Sequence, residues 1–173
     1  MNKKPETGIL PSQELNTAIK SKFISSEHPI NEDQVQPASL DLRLSKTAYR
    51  VRASFLPGSK ATVKEKLDNI TMHKIDLTNG AVLEKGCVYI VPLQERLNIP
   101  PEISGMTNPK SSTGRLDIFT RVITDKAVEF DRIVPGYSGP LYAEISPLTF
   151  SVLVHHGSKL SQLRLRRGNF IAT

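Results

Sequence analysis

The chain has 173 residues with a formal net charge of +6, and 38% of them are apolar. This length suits one domain with a sizeable core, and the apolar fraction is far above that of a disordered chain. Cys87 is the sole cysteine, so an intrachain disulfide is excluded, and the sequence has neither a signal-like apolar run nor the ~20 apolar residues of a spanning helix. We therefore predict a single domain over residues 1–173 that is soluble, cytoplasmic and has no membrane partner.

The first predicted element is a short amphipathic helix. Ser12 is its predicted N-cap after Pro11, and apolar residues recur at helical spacing from there: Leu15, Ala18, Ile19 and Phe23. An alternation of period two then predicts strands over 39–45 and 49–53. Residues 54–75 contain a Pro57–Gly58 turn and mixed charges, and we predict a loop or insertion there.

The second half of the chain is predicted to be strands separated by turns. The strands cover 87–92, 116–123, 140–145, 149–154 and 160–165, with Gly-containing turn signals between several of them. The basic clusters near the chain ends are interpreted as loose solvated tails: Lys3 with Lys4, and Arg164 with Arg166 and Arg167. The predicted fold class is mainly β, a sandwich or barrel with a minor helical part.

Zinc-dependent deaminase chemistry is disfavoured. Zinc deaminases need an H-x-E and P-C-x-x-C signature around an activated water. This chain has histidines at 28, 73, 155 and 156 and one cysteine, none with metal-ligand spacing. His155 and His156 precede Gly157 at a predicted turn, where we expect two solvated imidazoles. We predict no zinc and no protein-held metal.

A Walker A loop is also absent. The nearest match is Gly105-Met106-Thr107-Asn108-Pro109-Lys110-Ser111, which is one residue short and has proline in place of the second glycine. Proline cannot donate the backbone N–H that such a loop offers to phosphate.

The most informative segment is Asn108-Pro109-Lys110-Ser111-Ser112-Thr113-Gly114-Arg115. Its two cations can balance a polyphosphate, while its hydroxyls and free N–H groups supply directed donors. A polar connecting loop would have the same composition. The pattern alone favours the two interpretations equally.

A second segment, 131–144, combines a tight turn with a strand. Alternation places Leu141, Ala143 and Ile145 on one face of this strand and Glu144 on the other. A buried functional carboxylate and a common solvent-facing strand carboxylate are both compatible with this pattern.

Together these segments resemble a known family. Lys-Ser-Ser-x-x-Arg at 110–115, then Arg-Ile-x-Pro-Gly-Tyr-x-Gly at 132–139 and Glu144, resemble dCTP deaminases of the trimeric dUTPase-like superfamily. The runs 38–44, 101–105 and 157–163 resemble the family's first motif, a strand entry and a late glutamine motif. The resemblance spans about residues 8 to 166 and implies a distorted β-barrel or jelly roll with a short N-terminal helix.

By this resemblance, Glu144 would be the general acid/base for water attacking C4 of cytosine. Arg115 and Ser111 would place the water and Glu144. Lys110 and Ser112 resemble phosphate-binding positions, although most relatives have arginine in place of Lys110, whose ammonium lacks a bidentate fork.

The remaining implied contacts concern the nucleoside and the metal. Tyr137 would pack on the deoxyribose, although a core tyrosine at a strand edge is an equally plausible role. Gln162 would contact the nucleotide from the late strand. Mg²⁺ would arrive with the triphosphate rather than in a protein cage.

The sequence departs from the family pattern at two places. Val134 stands where the superfamily usually has an aspartate that activates water for attack on phosphorus, which argues against pyrophosphohydrolase chemistry. It also removes a sugar contact that Asp131 is close enough in sequence to replace. The chain stops soon after the glutamine motif, whereas relatives continue into a tail that closes over the triphosphate, so we expect this lid segment to be lacking.

The expected reaction is dCTP + H₂O giving dUTP + NH₃, in a trimer or in a pseudo-trimer with a second homologous domain. This sequence most resembles the first half of longer, two-domain dCTP deaminase-like proteins. The alternatives are hydrolysis of dUTP or dCTP to the monophosphate, and a catalytically silent nucleotide-binding or assembly domain. Nucleic-acid binding is disfavoured because aromatic residues are only 6% and tryptophan is absent.

Overall fold

The computed structural model describes residues 7–168, which form mainly strands. In chain order the strands are β1 (Gly8–Ile9), β2 (Ile24–Ser26), β3 (Leu40–Leu42), β4 (Thr47–Val51), β5 (Thr71–Asp76), β6 (Ala81–Leu83), β7 (Val88–Asn98), β8 (Ile103–Pro109), β9 (Ile118–Thr124), β10 (Arg132–Ile133), β11 (Ser138–Pro147), β12 (Val152–Val154) and β13 (Ser161–Arg167). The helices are α1 (Ser12–Lys20), α2 (Val63–Ile70) and α3 (Ser111–Arg115), with a 3-10 turn at Glu32–Gln34. None of the helices within 7–168 is long and apolar enough to cross a membrane.

The strands form two large antiparallel sheets and one small sheet. The first large sheet has the order β1-β13-β8-β10, with β3 also paired to β13. The second has the order β5-β4-β7-β11-β9, with β2 also paired to β7. The small sheet pairs β12 with β6. The predicted mainly β fold class is confirmed.

The main hydrophobic core lies between the two large sheets. The first sheet contributes Leu40 and Leu163, and the second contributes Val91 and Ala143, all buried in one cluster with α1. Because side chains alternate along a strand, the opposite face of the second sheet needs its own cover. A smaller cluster around Tyr142 provides it, with side chains from β4, β7 and β9 and from α2.

Segment 54–75 is not the loop that the sequence predicted, because it contains α2 and most of β5. Thr62 and Glu65 form a capping box at the start of α2, and the helix buries Val63 and Leu67 against the second sheet. The capping box and this apolar spacing are both visible in the sequence, within a stretch of mixed charges that is also typical of a loop.

Two further expectations need correction. The N-cap of α1 is Pro11 rather than Ser12, and the backbone N–H of Leu15 donates to the Pro11 carbonyl at 3.0 Å. Arg164, Arg166 and Arg167 are not in a loose tail, because they belong to β13, which pairs with β8, β3 and β1. Lys3 and Lys4 lie outside the described residues.

Candidate functional site

Glu144 lies in the middle of β11, between Ile90 of β7 and Arg121 of β9. Its neighbours Ala143 and Ile145 enter the main core, so its own side chain projects from the opposite face, as alternation predicted. The residue is only 2% exposed. The interpretation of Glu144 as a solvent-facing carboxylate is therefore wrong.

Both carboxylate oxygens of Glu144 accept hydrogen bonds from side chains. Arg121 Nε donates to Oε2 at 2.7 Å, and the Ser54 hydroxyl donates to Oε1. The guanidinium carbon of Arg121 lies 3.4 Å from the centroid of the Phe130 ring. Ser54 and Phe130 come from segments outside every predicted strand, so only tertiary packing brings them here.

Asp131 lies beside this arrangement. It adopts a left-handed backbone conformation with φ 61, and its Oδ1 accepts from the Thr107 hydroxyl and the Val122 N–H, both at 2.8 Å. Burial raises the pKa of Asp131; the charge of Arg121 opposes that rise and the charge of Glu144 adds to it. We call Ser54, Arg121, Phe130, Asp131 and Glu144 the Glu144 cluster.

The segment around α3 forms a separate polar surface. The Lys110 ammonium is paired with the buried carboxylate of Asp41 on β3. In contrast, Ser111, Ser112 and Arg115 are exposed, and within residues 7–168 their side chains make no hydrogen bond or ion pair. These three predicted residues are available to a ligand or partner.

A cavity of about 420 Å³ adjoins α3. Its lining includes Lys110 and Ser112, together with Ser158 and Lys159 from the turn before β13. The position of α3 is fixed because the Thr113 hydroxyl and the Lys110 N–H both donate to the Leu160 carbonyl, at 2.8 and 2.9 Å. Two cations and two hydroxyls therefore face one open space, which suits a polyanion.

Tyr137 is buried and holds the turn before β11. Its hydroxyl donates to the Pro140 carbonyl at 2.6 Å and accepts from the Asp125 N–H at 3.1 Å, and burial raises its pKa. Tyr137 also lines a cavity of about 630 Å³ with Val134 and Thr124. The core role is thus observed, and Tyr137 also borders this cavity.

Gln162 is half-buried on β13, directly between Asp41 of β3 and Asn108 of β8. Because residues opposite each other in a sheet share a face, Gln162 lies on the same face as the carboxylate that holds Lys110. The fold therefore associates Gln162 with the α3 surface.

Seven of the eight predicted site residues form two groups in the chain, and the eighth, Tyr137, lines the cavity of about 630 Å³. Lys110, Ser111, Ser112, Arg115 and Gln162 belong to the α3 surface, while the Glu144 cluster includes Asp131. Among residues 7–168, no hydrogen bond or ion pair joins Glu144 to Ser111 or Arg115. We call these two groups of candidate residues part-sites.

The sequence interpretation missed Arg121, Ser54, Asp41 and Lys159 as site residues. For Arg121 a signal was available, because it is a charge inside the otherwise apolar-rich predicted strand 116–123. For Ser54 there was none, since its contact with Glu144 joins residues 90 positions apart.

No group of three or more His, Cys, Asp or Glu side chains that could hold a metal occurs within the described residues. His155 is exposed, as predicted for a solvated imidazole. His156 is not, since it is half-buried, with its Nε2 at 3.2 Å from Gln94 Nε2 and its ring 5.2 Å from that of His28.

Comparison with known proteins places these features in a family. The sequence profile of the 2'-deoxycytidine 5'-triphosphate deaminase (DCD) N-terminal domain matches residues 6–169. The dCTP deaminase of Halorubrum lacusprofundi is 33% identical over 134 residues, covering 76% of this chain and 63% of the relative. A protein of Salinispora arenicola named "dCTP deaminase, dUMP-forming" is 27% identical over 160 residues, covering 92% of this chain and 79% of the relative.

Solved structures give the same result. The 2'-deoxycytidine 5'-triphosphate deaminase of Agrobacterium tumefaciens superposes with a TM-score of 0.92 and 57% identity, over 95% of this chain and 49% of that chain. The EIAV dUTPase, at 14% identity and a TM-score of 0.53, shares the fold. The present chain therefore spans about half of the Agrobacterium protein and less than two thirds of the Halorubrum one.

Proposed function

The chain belongs to the family of dCTP deaminase N-terminal domains, and from this premise we propose that it takes part in the hydrolytic deamination of dCTP to dUTP and ammonia. The observation that carries the proposal is the buried Glu144 carboxylate. A charged group on a strand face costs folding free energy that an apolar residue would not, even when it is paired. A buried, paired carboxylate within a family motif is therefore a candidate for chemistry.

In this proposal, Glu144 accepts a proton from the water that attacks C4 of cytosine. Glu144 passes this proton to ring N3 and then relays the proton of the new C4 hydroxyl to the amino group, so that the C4–N bond breaks and ammonia leaves as C4 becomes a carbonyl. A positioned acid/base of this kind contributes on the order of 10²–10⁴ in rate. Ser111 and Arg115, which have free exposed side chains, orient the water and the base.

We assign the triphosphate to the α3 surface. Lys110, Ser112 and Lys159 line one open cavity there, and Mg²⁺ enters with the nucleotide as part of the substrate. Gln162 lies on the same sheet face as the partner of Lys110. Tyr137 and Asp131 are assigned to the deoxyribose, because Tyr137 lines a cavity and Asp131 belongs to the Glu144 cluster.

The division of the candidate residues into two part-sites supports a shared active site. Among residues 7–168, no hydrogen bond or ion pair joins Glu144 to Ser111 or Arg115, yet the proposal needs all three at one cytosine. We propose that the α3 surface of one domain meets the Glu144 cluster of another. The second domain is another copy of this chain in a trimer or a homologous domain in a pseudo-trimer.

The direct test is ammonia release from dCTP and Mg²⁺ by the parent chain and by Glu144→Gln, both shown to be folded by circular dichroism. We expect turnover by the parent and a loss of at least about 10²-fold in the variant. No turnover by the folded parent, with or without a homologous partner domain, would overturn the proposal for this chain. Equal turnover by both proteins would remove Glu144 from the mechanism.

The name of the Salinispora relative, which describes a dUMP-forming enzyme, motivates a second candidate reaction whose product is dUMP. Release of pyrophosphate with the ammonia would support it. Val134 argues against this outcome, because it lies exposed in the Tyr137 cavity where a carboxylate would be needed. Of the carboxylates lining that cavity, Asp125 accepts from the Val63 N–H and Glu129 is paired with Arg132.

A further inference from the structure

Arg121 closes a ring of hydrogen bonds around Glu144. Its Nε donates to Glu144 Oε2 and its Nη2 donates to Ser54 Oγ, both at 2.7 Å, while the Ser54 hydroxyl donates to Glu144 Oε1. Each carboxylate oxygen therefore has a fixed partner on a different element. This arrangement sets the plane of the carboxylate and leaves one lone pair on each oxygen for a further donor such as water.

The Arg121 side chain is itself fixed by aromatic rings. Its guanidinium carbon lies 3.4 Å from the Phe130 centroid and 5.0 Å from the Phe119 centroid. A guanidinium stacked in this way loses less conformational entropy on forming its hydrogen bonds than an unstacked lysine side chain would. The Phe130 ring therefore fixes the position of the Arg121 guanidinium, and Arg121 in turn fixes the position of the Glu144 carboxylate.

The charges around Arg121 make it more than a packing element. Two carboxylates face it, Glu144 by direct contact and Asp131 through space. The other side-chain partner of the Glu144 carboxylate is Ser54, which carries no charge. Without Arg121 these two carboxylates would be neighbours with no counter-charge in the cluster, a situation that favours protonation of one of them.

We infer that Arg121 is a positioning residue that supplies the counter-charge of the Glu144 carboxylate and holds it in one orientation for proton transfer, with Ser54 and Phe130 fixing its place. The inference rests on the proposed deaminase function of Glu144. Arg121 acts through Glu144 and does not itself bind the nucleotide.

The test compares four variants of the chain: Arg121→Gln, Arg121→Lys, Ser54→Ala and the control Arg50→Gln. Arg50 is a matched arginine on the same sheet that pairs with Glu84 at the surface. For each folded variant we measure kcat, the KM for dCTP and the pH dependence of kcat.

For Arg121→Gln we expect kcat to fall on the order of 10²-fold, because the base is misplaced, while KM changes by less than about twofold. The acidic limb of its rate profile moves to higher pH. Arg121→Lys restores the position of that limb through its charge but recovers kcat only in part. Ser54→Ala lowers kcat less than Arg121→Gln, and Arg50→Gln matches the parent.

An unchanged kcat and pH profile in folded Arg121→Gln would overturn the inference, even if that variant were less stable. A raised KM at constant kcat would also overturn it, because Arg121 would then be a binding group. If the parent itself releases no ammonia, the carboxyl carbon of Glu144 is titrated by NMR in the parent and in Arg121→Gln. A midpoint at higher pH in the variant supports the role of Arg121 as counter-charge, and equal midpoints refute it.

Discussion

Lys110, the cation proposed to bind phosphate, is paired with Oδ2 of the buried Asp41 carboxylate, whose Oδ1 has no hydrogen-bond partner among residues 7–168. The pair joins the loop before α3 to β3 of the first sheet. Lys110 is therefore a structural counter-charge in the free protein as well as a candidate ligand for the substrate.

Removing Lys110 should expose this dual role. Lys110→Met leaves a buried carboxylate without its partner, so we expect the free energy of unfolding to fall by about 3 kcal/mol. The double variant with Asp41→Asn should recover most of the loss, because the uncompensated charge is gone. Urea unfolding of both variants provides the measurement.

The control for this experiment is Lys159→Met, which removes a lysine paired with the exposed carboxylate of Asp33. Surface pairs contribute little, so its stability should change by less than about 1 kcal/mol. Equal effects of the two lysine substitutions would contradict the structural role assigned to Lys110.

The ion pair between Arg43 and Glu95 should be essential for stability. The two side chains meet at 2.9 Å, Glu95 is fully buried, and the Arg43 N–H also donates to its Oε1 at 2.6 Å. We expect Arg43→Met to lower the free energy of unfolding by about 3–5 kcal/mol, because it leaves the buried Glu95 carboxylate without its counter-charge. Chemical denaturation tests this, and a loss below about 1 kcal/mol, as for an exposed pair, would be inconsistent with the buried geometry.

Asp131 should make stability depend on pH in a defined direction. Burial raises its folded pKa above the ordinary value of 3.8, so the unfolded chain releases this proton first as the pH rises. The Asp131 contribution is therefore fully present below 3.8 and declines until the pH passes the raised folded pKa.

Asp131→Asn lacks this titration but keeps an oxygen to accept from Thr107 and Val122. Relative to the parent, the variant should become progressively more stable as the pH is raised from the acidic range to neutrality. Unfolding free energies of both proteins across that range provide the check. The opposite trend would mean that the charge of Arg121 outweighs burial at this site.

Gly139 should not tolerate a side chain. Its φ is 153, and a Cβ built there would lie 2.9 Å from the Tyr137 hydroxyl, which is already bonded to the Pro140 carbonyl. We expect Gly139→Ala to destabilise the protein by about 1–3 kcal/mol. Gly114→Ala is the matched control, since Gly114 lies in α3 with open space around it. That control should be neutral or slightly stabilising in thermal melts, because alanine favours the helix.

The sequence by itself determined the fold class and the family. Local patterns are responsible, because alternation in 140–145 and in 160–165 reports which face of a strand meets the core, and the motifs at 110–115 and 132–139 lie within single contiguous segments. The same alternation correctly placed Glu144 on the face opposite Ala143. It could not show whether water or protein covers that face, and so it allowed a solvent-exposed carboxylate.

Only the tertiary structure decided what surrounds the site. Glu144 is buried because α2 and the turn at Phe130 cover the second sheet, and its partners Ser54 and Arg121 are 90 and 23 positions away in the chain. Pairings at such separations come from sheet order and packing, which residue spacing does not encode. The motifs also place Glu144, Ser111 and Arg115 in one site, and this stays a prediction. Only the folded chain shows that no hydrogen bond or ion pair joins Glu144 to the other two among residues 7–168, since Glu144 is buried on β11 while Ser111 and Arg115 are exposed on α3.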